Sequence, residues 1–233
     1  MSSIGVVSFP GSNCDVDTLN ALEDLRVSVE RIWYEETDLS RVDRVILPGG
    51  FSYGDYLRSG ALAAKAPVMK AIRSHVCERQ LPILGICNGF QILTESGLLP
   101  GVLRQNRHGE FRSGWQRVRV VEESPWFPTL QSGETLRLPI AHGEGAFYVA
   151  PGTLGALFED RQVWLQYVDF EGALSPLVNP NGSVANIAGV IRGSIAGLMP
   201  HPERAMAEYL GSVDGKRLLT AWIASDDVPV GRE

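Results

Sequence analysis

A short apolar run, Ile83-Leu84-Gly85-Ile86, stops abruptly at Cys87, and the residues beyond it have helical spacing, with Phe90, Ile92 and Leu93 apolar. A buried strand that turns sharply into a helix is a demanding geometry, and Gly85 and Gly89 leave room for it on either side of Cys87. A side chain at such a corner, a nucleophile elbow, stands above the sheet edge at a helix N-terminus. There the helix dipole and free N–H groups favour a thiolate. Cysteines in general are small buried hydrophobes. The flanking glycines and the switch from strand to helix mark Cys87 instead as a candidate nucleophile.

Around this corner the chain alternates between strand and helix patterns. Residues 4–9 read as a buried first strand closed by the turn cluster Pro10-Gly11-Ser12-Asn13, and residues 15–25 as a helix with Leu19, Leu22 and Leu25 on one face. Residues 27–33 alternate like a strand near a sheet edge, and Val45-Ile46-Leu47 is a short buried strand broken by Pro48-Gly49-Gly50. Residues 61–78 are helical, with Pro67 ending a first short helix or kinking the element. This order predicts an α/β fold with a mostly parallel sheet flanked by helices. The middle third predicts an antiparallel extension, with strands over 117–121, 136–140 and 163–167. Residues 187–191 and 195–199 then form a hairpin across Arg192-Gly193-Ser194, and a last helix runs from 216 to 224.

A chain of 233 residues can bury a substantial core, and no repeat, low-complexity tract or linker divides it, so a single domain over 1–233 is expected. The formal net charge is −6 without a Lys/Arg cluster, which argues against nucleic acid as a partner. Cys14, Cys77 and Cys87 are odd in number and form no C-x-x-C, so neither a disulfide framework nor a metal site is expected. That usage fits a reducing cytoplasm. The first nine residues lack the features of a signal peptide, and no stretch approaches the roughly 20 apolar residues of a membrane span.

A thiol nucleophile needs a base, and the base needs a group that orients it. Of His75, His108, His142 and His201, the first lies in a polar helical stretch. His201 directly follows an apolar strand, in Met199-Pro200-His201-Pro202-Glu203, on the rim where open α/β sheets bind ligands. Pro202 biases His201 towards extended backbone, and Glu203 two residues on would then lie beside it and accept its ring N–H. Pro48-Gly49-Gly50-Phe51 ends another parallel strand on the same rim. An N–H near Gly50, together with the N–H of Asn88, would form an oxyanion site. The Gly-x-Cys-x-Gly pattern also matches α/β-hydrolases, in which the acid precedes the histidine; here Glu203 follows His201, which disfavours that reading. No G-x-x-x-x-G-K-[ST] loop is present.

Gly85-Ile86-Cys87-Asn88-Gly89-Phe90-Gln91 with His201-Pro202-Glu203 resembles the class I (triad) glutamine amidotransferases. The long loop Pro48-Gly49-Gly50-Phe51-Ser52-Tyr53-Gly54-Asp55-Tyr56-Leu57-Arg58-Ser59-Gly60 is similar to one branch, the glutaminase subunits of phosphoribosylformylglycinamidine synthases. So are Phe9-Pro10-Gly11-Ser12-Asn13-Cys14-Asp15, Ala141-His142-Gly143-Glu144-Gly145 and Asn179-Pro180-Asn181-Gly182-Ser183. The resemblance implies a flavodoxin-like fold and hydrolysis of glutamine to glutamate and ammonia through a thioester on Cys87, with His201 and Glu203 completing the triad. It also implies that Gln91 helps to bind glutamine, and that His142 and Glu144 sit in a loop near the site or the partner.

The same resemblance implies that the chain binds no cofactor itself. The ammonia would pass to a synthetase subunit, assembled with a small third subunit, that uses ATP and Mg on formylglycinamide ribonucleotide in purine synthesis. Tyr53, Asp55 and Arg58, in the loop leaving the same rim as Cys87, are side chains suited to an interface with that partner. The alternatives are the glutaminase of a sister synthase, for which the 51–60 loop is foreign, and a flavodoxin-like cysteine hydrolase, which needs no late His-x-Glu.

Overall fold

The computed structural model describes residues 3–225; the two ends of the expected domain, 1–2 and 226–233, lie outside the described residues. Eleven strands occur among them: β1 (Ser3–Ser8), β2 (Ser28–Trp33), β3 (Arg44–Leu47), β4 (Ile83–Ile86), β5 (Val102–Arg104), β6 (Arg112–Val120), β7 (Thr135–His142), β8 (Ala146–Tyr148), β9 (Val163–Val168), β10 (Ile187–Arg192) and β11 (Ile195–Leu198). Nine of these form one sheet in the order β2-β1-β3-β4-β11-β10-β9-β6-β7, and β5 and β8 pair separately. From β2 to β11 all neighbours run parallel; beyond β11 every pairing is antiparallel.

Burial explains the arrangement. Every residue of β3, β4 and β11 is buried, as expected of central strands covered on both faces, and these are the unbroken apolar runs of the sequence. In β2 only Ile32 is fully buried, consistent with its place at the sheet edge. The helices α1 (Asp15–Asp24), α2 (Pro67–Arg79), α3 (Asn88–Glu95), α4 (Leu154–Glu159) and α5 (Asp214–Ile223) complete the fold. Pro67 opens α2 after a 3-10 turn at Ala63–Lys65; its missing N–H costs nothing at a first helical position. The buried Arg44 fixes α5 to β3 by donating to the Trp222 carbonyl at 2.9 Å and to Ser225 Oγ at 2.8 Å. No helix among the described residues is long and apolar enough to cross a membrane.

The hairpin β10–β11 and the antiparallel set agree with the sequence reading, but β6 and β7 are longer than the expected 117–121 and 136–140. The first three residues of β6 are exposed and include Ser113 and Gly114, so no apolar alternation marks them. Pro139 lies within β7, where it is tolerated because β7 is the edge strand of the sheet. Parallel packing carries the C-terminal ends of β1, β3, β4 and β11 to one rim, and every candidate catalytic residue follows one of these ends.

Candidate active site

Cys87 stands between β4 and α3 with φ 48° and ψ −102°, a conformation that costs a non-glycine residue roughly 1–3 kcal/mol. Its neighbours hold it there. The Cys87 N–H donates to the Leu198 carbonyl at 2.8 Å, and its own carbonyl accepts from the Gln91 N–H at 3.1 Å, closing the first turn of α3. The flanking glycines serve close approach and have no left-handed φ. A Cβ on Gly89 would lie 1.9 Å from the Leu47 carbonyl oxygen, and one on Gly85 would lie 2.8 Å from the Gly89 carbonyl. Thus α3 rests directly on β3 and β4, which points the elbow out of the rim.

This packing yields a prediction. Gly89→Ala forces α3 off the Leu47 carbonyl, and overpacking of this kind costs typically about 1–3 kcal/mol or more. A fall in the denaturant midpoint together with loss of Cys87 reactivity towards a thiol-directed electrophile is expected. Unchanged values for both would show that the contact does not hold the elbow.

His201 follows β11, with its backbone extended (φ −106°, ψ 89°) as Pro202 requires, and its N–H donates to the Pro139 carbonyl of β7 at 2.8 Å. Nδ1 lies 2.6 Å from Glu203 Oε1, and both side chains are fully buried. The pairing arises differently from the expected strand alternation: residues Pro202–Arg204 form a 3-10 turn that folds Glu203 back under the ring. Burial alone would lower the pKa of His201. The carboxylate of Glu203 and then the sulfur of Cys87 outweigh it and push the ring up to about 10. Nε2, on the ring edge away from Glu203, is buried with no hydrogen-bond partner among the described residues. The site therefore favours the charged form of the His201 ring beside the Cys87 sulfur.

Gly50 has φ +125°, and a Cβ there would lie 2.7 Å from Asn13 Oδ1, so only glycine lets the chain turn at this point of the rim. Asn88 is the first residue of α3, where a backbone N–H has no intrahelical acceptor. The Asn88 side chain is used as well. Its Oδ1 accepts from the Ser52 N–H at 3.3 Å and its Nδ2 donates to Gln91 Oε1 at 2.9 Å. Gln91 Nε2 in turn donates to the Glu144 carbonyl at 2.6 Å, and Glu144 Oε2 accepts from the Ser59 N–H at 3.2 Å. These bonds join the 50–60 loop, the elbow helix and the 142–145 loop around a cavity of about 210 Å³ lined by Gly50, Cys87, Gln91, Asp55 and Glu144.

Of the three residues read as suited to a partner, Arg58 is exposed and ion-paired with Glu95. Tyr53 is half-buried, edge-to-face with Tyr34 at 5.9 Å, and Asp55 is half-buried and lines the cavity. The loop is strained: Tyr53, Asp55 and Leu57 all have positive φ. His75 lies half-buried on α2 and His108 is exposed; neither lines this cavity.

Sequence reasoning left two supports unassigned. Asn181 Nδ2 donates to His142 Nε2 at 3.0 Å and to the Gly145 carbonyl at 2.8 Å, while its Oδ1 accepts from Ser183. The Asn179–Ser183 motif thus anchors the 142–145 loop, and His142 is kept neutral, its pKa brought down to about 3 by burial and then by His201 and His108. Cys14 is the second. Its Sγ, Glu203 and His201 have polar atoms within 4.8 Å of one another, a composition that could hold a metal ion. The thiol already accepts from Arg204 at 3.0 Å, and burial pushes its pKa up to about 12, so it packs beside His201 and Glu203 as a neutral thiol. Its motif after β1, on the same rim, was the available signal.

The sequence matches the model of the CobB/CobQ-like glutamine amidotransferase domain over residues 2–223. Among curated relatives, the phosphoribosylformylglycinamidine synthase subunit PurQ of Thermomicrobium roseum is 56% identical over 220 residues, covering 93% of each chain. The PurQ subunit of Symbiobacterium thermophilum is 48% identical over 223 residues, covering 94% of each. Among solved structures, one chain of PurLQS from Thermotoga maritima superposes with a TM-score of 0.84 at 40% identity, over 96% of this chain and 99% of that one. The elbow, the buried His–Glu pair and the long glycine-rich loop thus occur in a chain that belongs to the CobB/CobQ-like glutamine amidotransferase family, among the PurQ subunits of phosphoribosylformylglycinamidine synthase.

Proposed function

We propose that this chain is the glutaminase of a phosphoribosylformylglycinamidine synthase. It hydrolyses glutamine and delivers the ammonia to a synthetase subunit. The observation that carries the reading is the buried His201–Glu203 pair beside a cysteine held at an elbow. The Cys87 sulfur, its proton held by His201, attacks the side-chain carboxamide carbon of glutamine. The N–H groups of Gly50 and Asn88 stabilise the oxyanion of the tetrahedral intermediate. His201 hands its proton to the departing nitrogen, ammonia leaves, and a γ-glutamyl thioester remains. Water then attacks the thioester, giving its proton back to His201, and glutamate leaves with the thiolate restored. Glu203 holds the ring in position and favours its charged form throughout.

The ATP-dependent activation of formylglycinamide ribonucleotide belongs to the synthetase subunit, with a small third subunit in the assembly. The reaction takes place in the cytoplasm, in keeping with three unpaired cysteines. The domain spans the whole chain, 1–233.

Coupling to the partner falls to the 50–60 loop. Tyr56 and Leu57 are 75% and 89% exposed on it, and its strained backbone is tied to the oxyanion region through Ser52 and Asn88. Docking of the synthetase sets this loop and raises glutaminase turnover. The test compares steady-state glutamine hydrolysis by the free chain with that of the complex loaded with ATP and formylglycinamide ribonucleotide. A large rise on assembly, lost in Arg58→Ala without loss of complex formation, is expected. Equal turnover in both states would rule out gating by the partner.

A further inference from the structure

Thioester chemistry needs only a carboxamide, which asparagine and glutamine residues of proteins also carry. Selection of the free amino acid must therefore come from groups that meet its other end. Two carboxylates from different loops, Asp55 and Glu144, line the cavity that holds Cys87. Ser59 joins them, its N–H donating to Glu144 Oε2 at 3.2 Å while its hydroxyl bonds Asp55. Burial, and then the charge of Glu144, hold the Asp55 carboxyl above its usual range, and Asp55 Oδ1 has no donor among the described residues. No lysine or arginine lines the cavity, His142 there is neutral, and Arg58 is bonded to Glu95. The lining of the cavity thus carries two carboxylates and no lysine or arginine.

We propose that Asp55 and Glu144 form the subsite for the α-ammonium group of glutamine, the one cation the substrate carries. The assignment rests on the glutaminase reading above. Four single bonds separate that nitrogen from the carboxamide carbon, a reach of roughly 5 Å, so the carboxylates fix which molecules place their carboxamide on Cys87. The same pair explains why Asp55 adopts a left-handed φ of 54°: the turn aims its side chain inward although it lies in an exposed loop.

The test uses the assembled complex with ATP and formylglycinamide ribonucleotide, and compares L-glutamine with 4-carbamoylbutanoate, which is glutamine without its amino group. Wild type should prefer L-glutamine. Asp55→Asn and Glu144→Gln should each lower kcat/KM for L-glutamine by about 10–100-fold, mainly through KM, in keeping with the strength of hydrogen bonds between charged groups. Turnover of 4-carbamoylbutanoate should fall far less than that of L-glutamine, so that the preference collapses. An equal fall for both substrates would assign the carboxylates a structural role, and an undiminished preference would place the ammonium elsewhere; either result overturns the proposal. Failure of the wild-type complex to hydrolyse L-glutamine would overturn the glutaminase reading, and the subsite with it.

Discussion

Cys87→Ala abolishes glutamine-dependent synthesis by the assembled complex and leaves ammonia-dependent synthesis essentially intact. The expectation follows from the division of labour proposed above: the chain supplies ammonia, and the acceptor is activated on another subunit. Removing the nucleophile of a catalytic triad costs on the order of 10⁶-fold in kcat, so residual glutamine use should be undetectable. The substitution removes one sulfur and leaves the elbow backbone bonds to Leu198 and Gln91 in place, so the fold and the interface should persist. Cys14→Ala serves as the control, because that thiol is neutral and takes no part in the proposed chemistry. Loss of both activities in Cys87→Ala would mean that the residue is needed for assembly rather than for the chemistry.

The two other members of the proposed triad should differ in weight. His201→Ala removes the proposed proton carrier, and general acid–base help is worth typically about 10²–10⁴-fold. Glu203→Gln keeps the shape and weakens only the hold on the ring, so a smaller loss is expected. Its sharper signature is in the pH profile. Burial depresses the pKa of His201, and the Glu203 charge is the largest influence raising it towards about 10. Without that charge the ring loses its proton at lower pH, and the imidazolium needed to protonate the leaving nitrogen is depleted sooner. The alkaline limb of glutaminase activity should therefore move to lower pH in Glu203→Gln. Wild-type turnover with an unmoved limb would reduce the triad to a Cys–His dyad.

The elbow was legible because it is local: one apolar strand, one corner and one amphipathic helix lie within thirteen residues of sequence. His201 and Glu203 were legible because parallel strands deliver their ends to one rim, so the end of an apolar run is already a place. The supports of the site were not, because they join distant segments. The bond between Asn181 and His142 spans 39 residues, and nothing in either motif names the other. The turn at Pro202–Arg204 reached the expected His–Glu contact by a geometry that residue spacing alone did not distinguish from an extended segment. Positive φ at Tyr53, Asp55 and Leu57 was hidden for a further reason. Such residues rarely adopt it, so the sequence carries no mark of a loop that turns Asp55 inward. The short strands β5 and β8, three residues each, fall below the length at which alternation can be recognised.

The central claim is that Cys87 forms the covalent bond with the γ-carbonyl of glutamine. Treatment of the assembled complex with the glutamine analogue 6-diazo-5-oxo-norleucine, followed by peptide mapping by mass spectrometry, tests it most directly. The account predicts a single adduct on Cys87 that excess glutamine prevents. An adduct on Cys14 or Cys77, or loss of glutaminase activity with Cys87 unmodified, would contradict it.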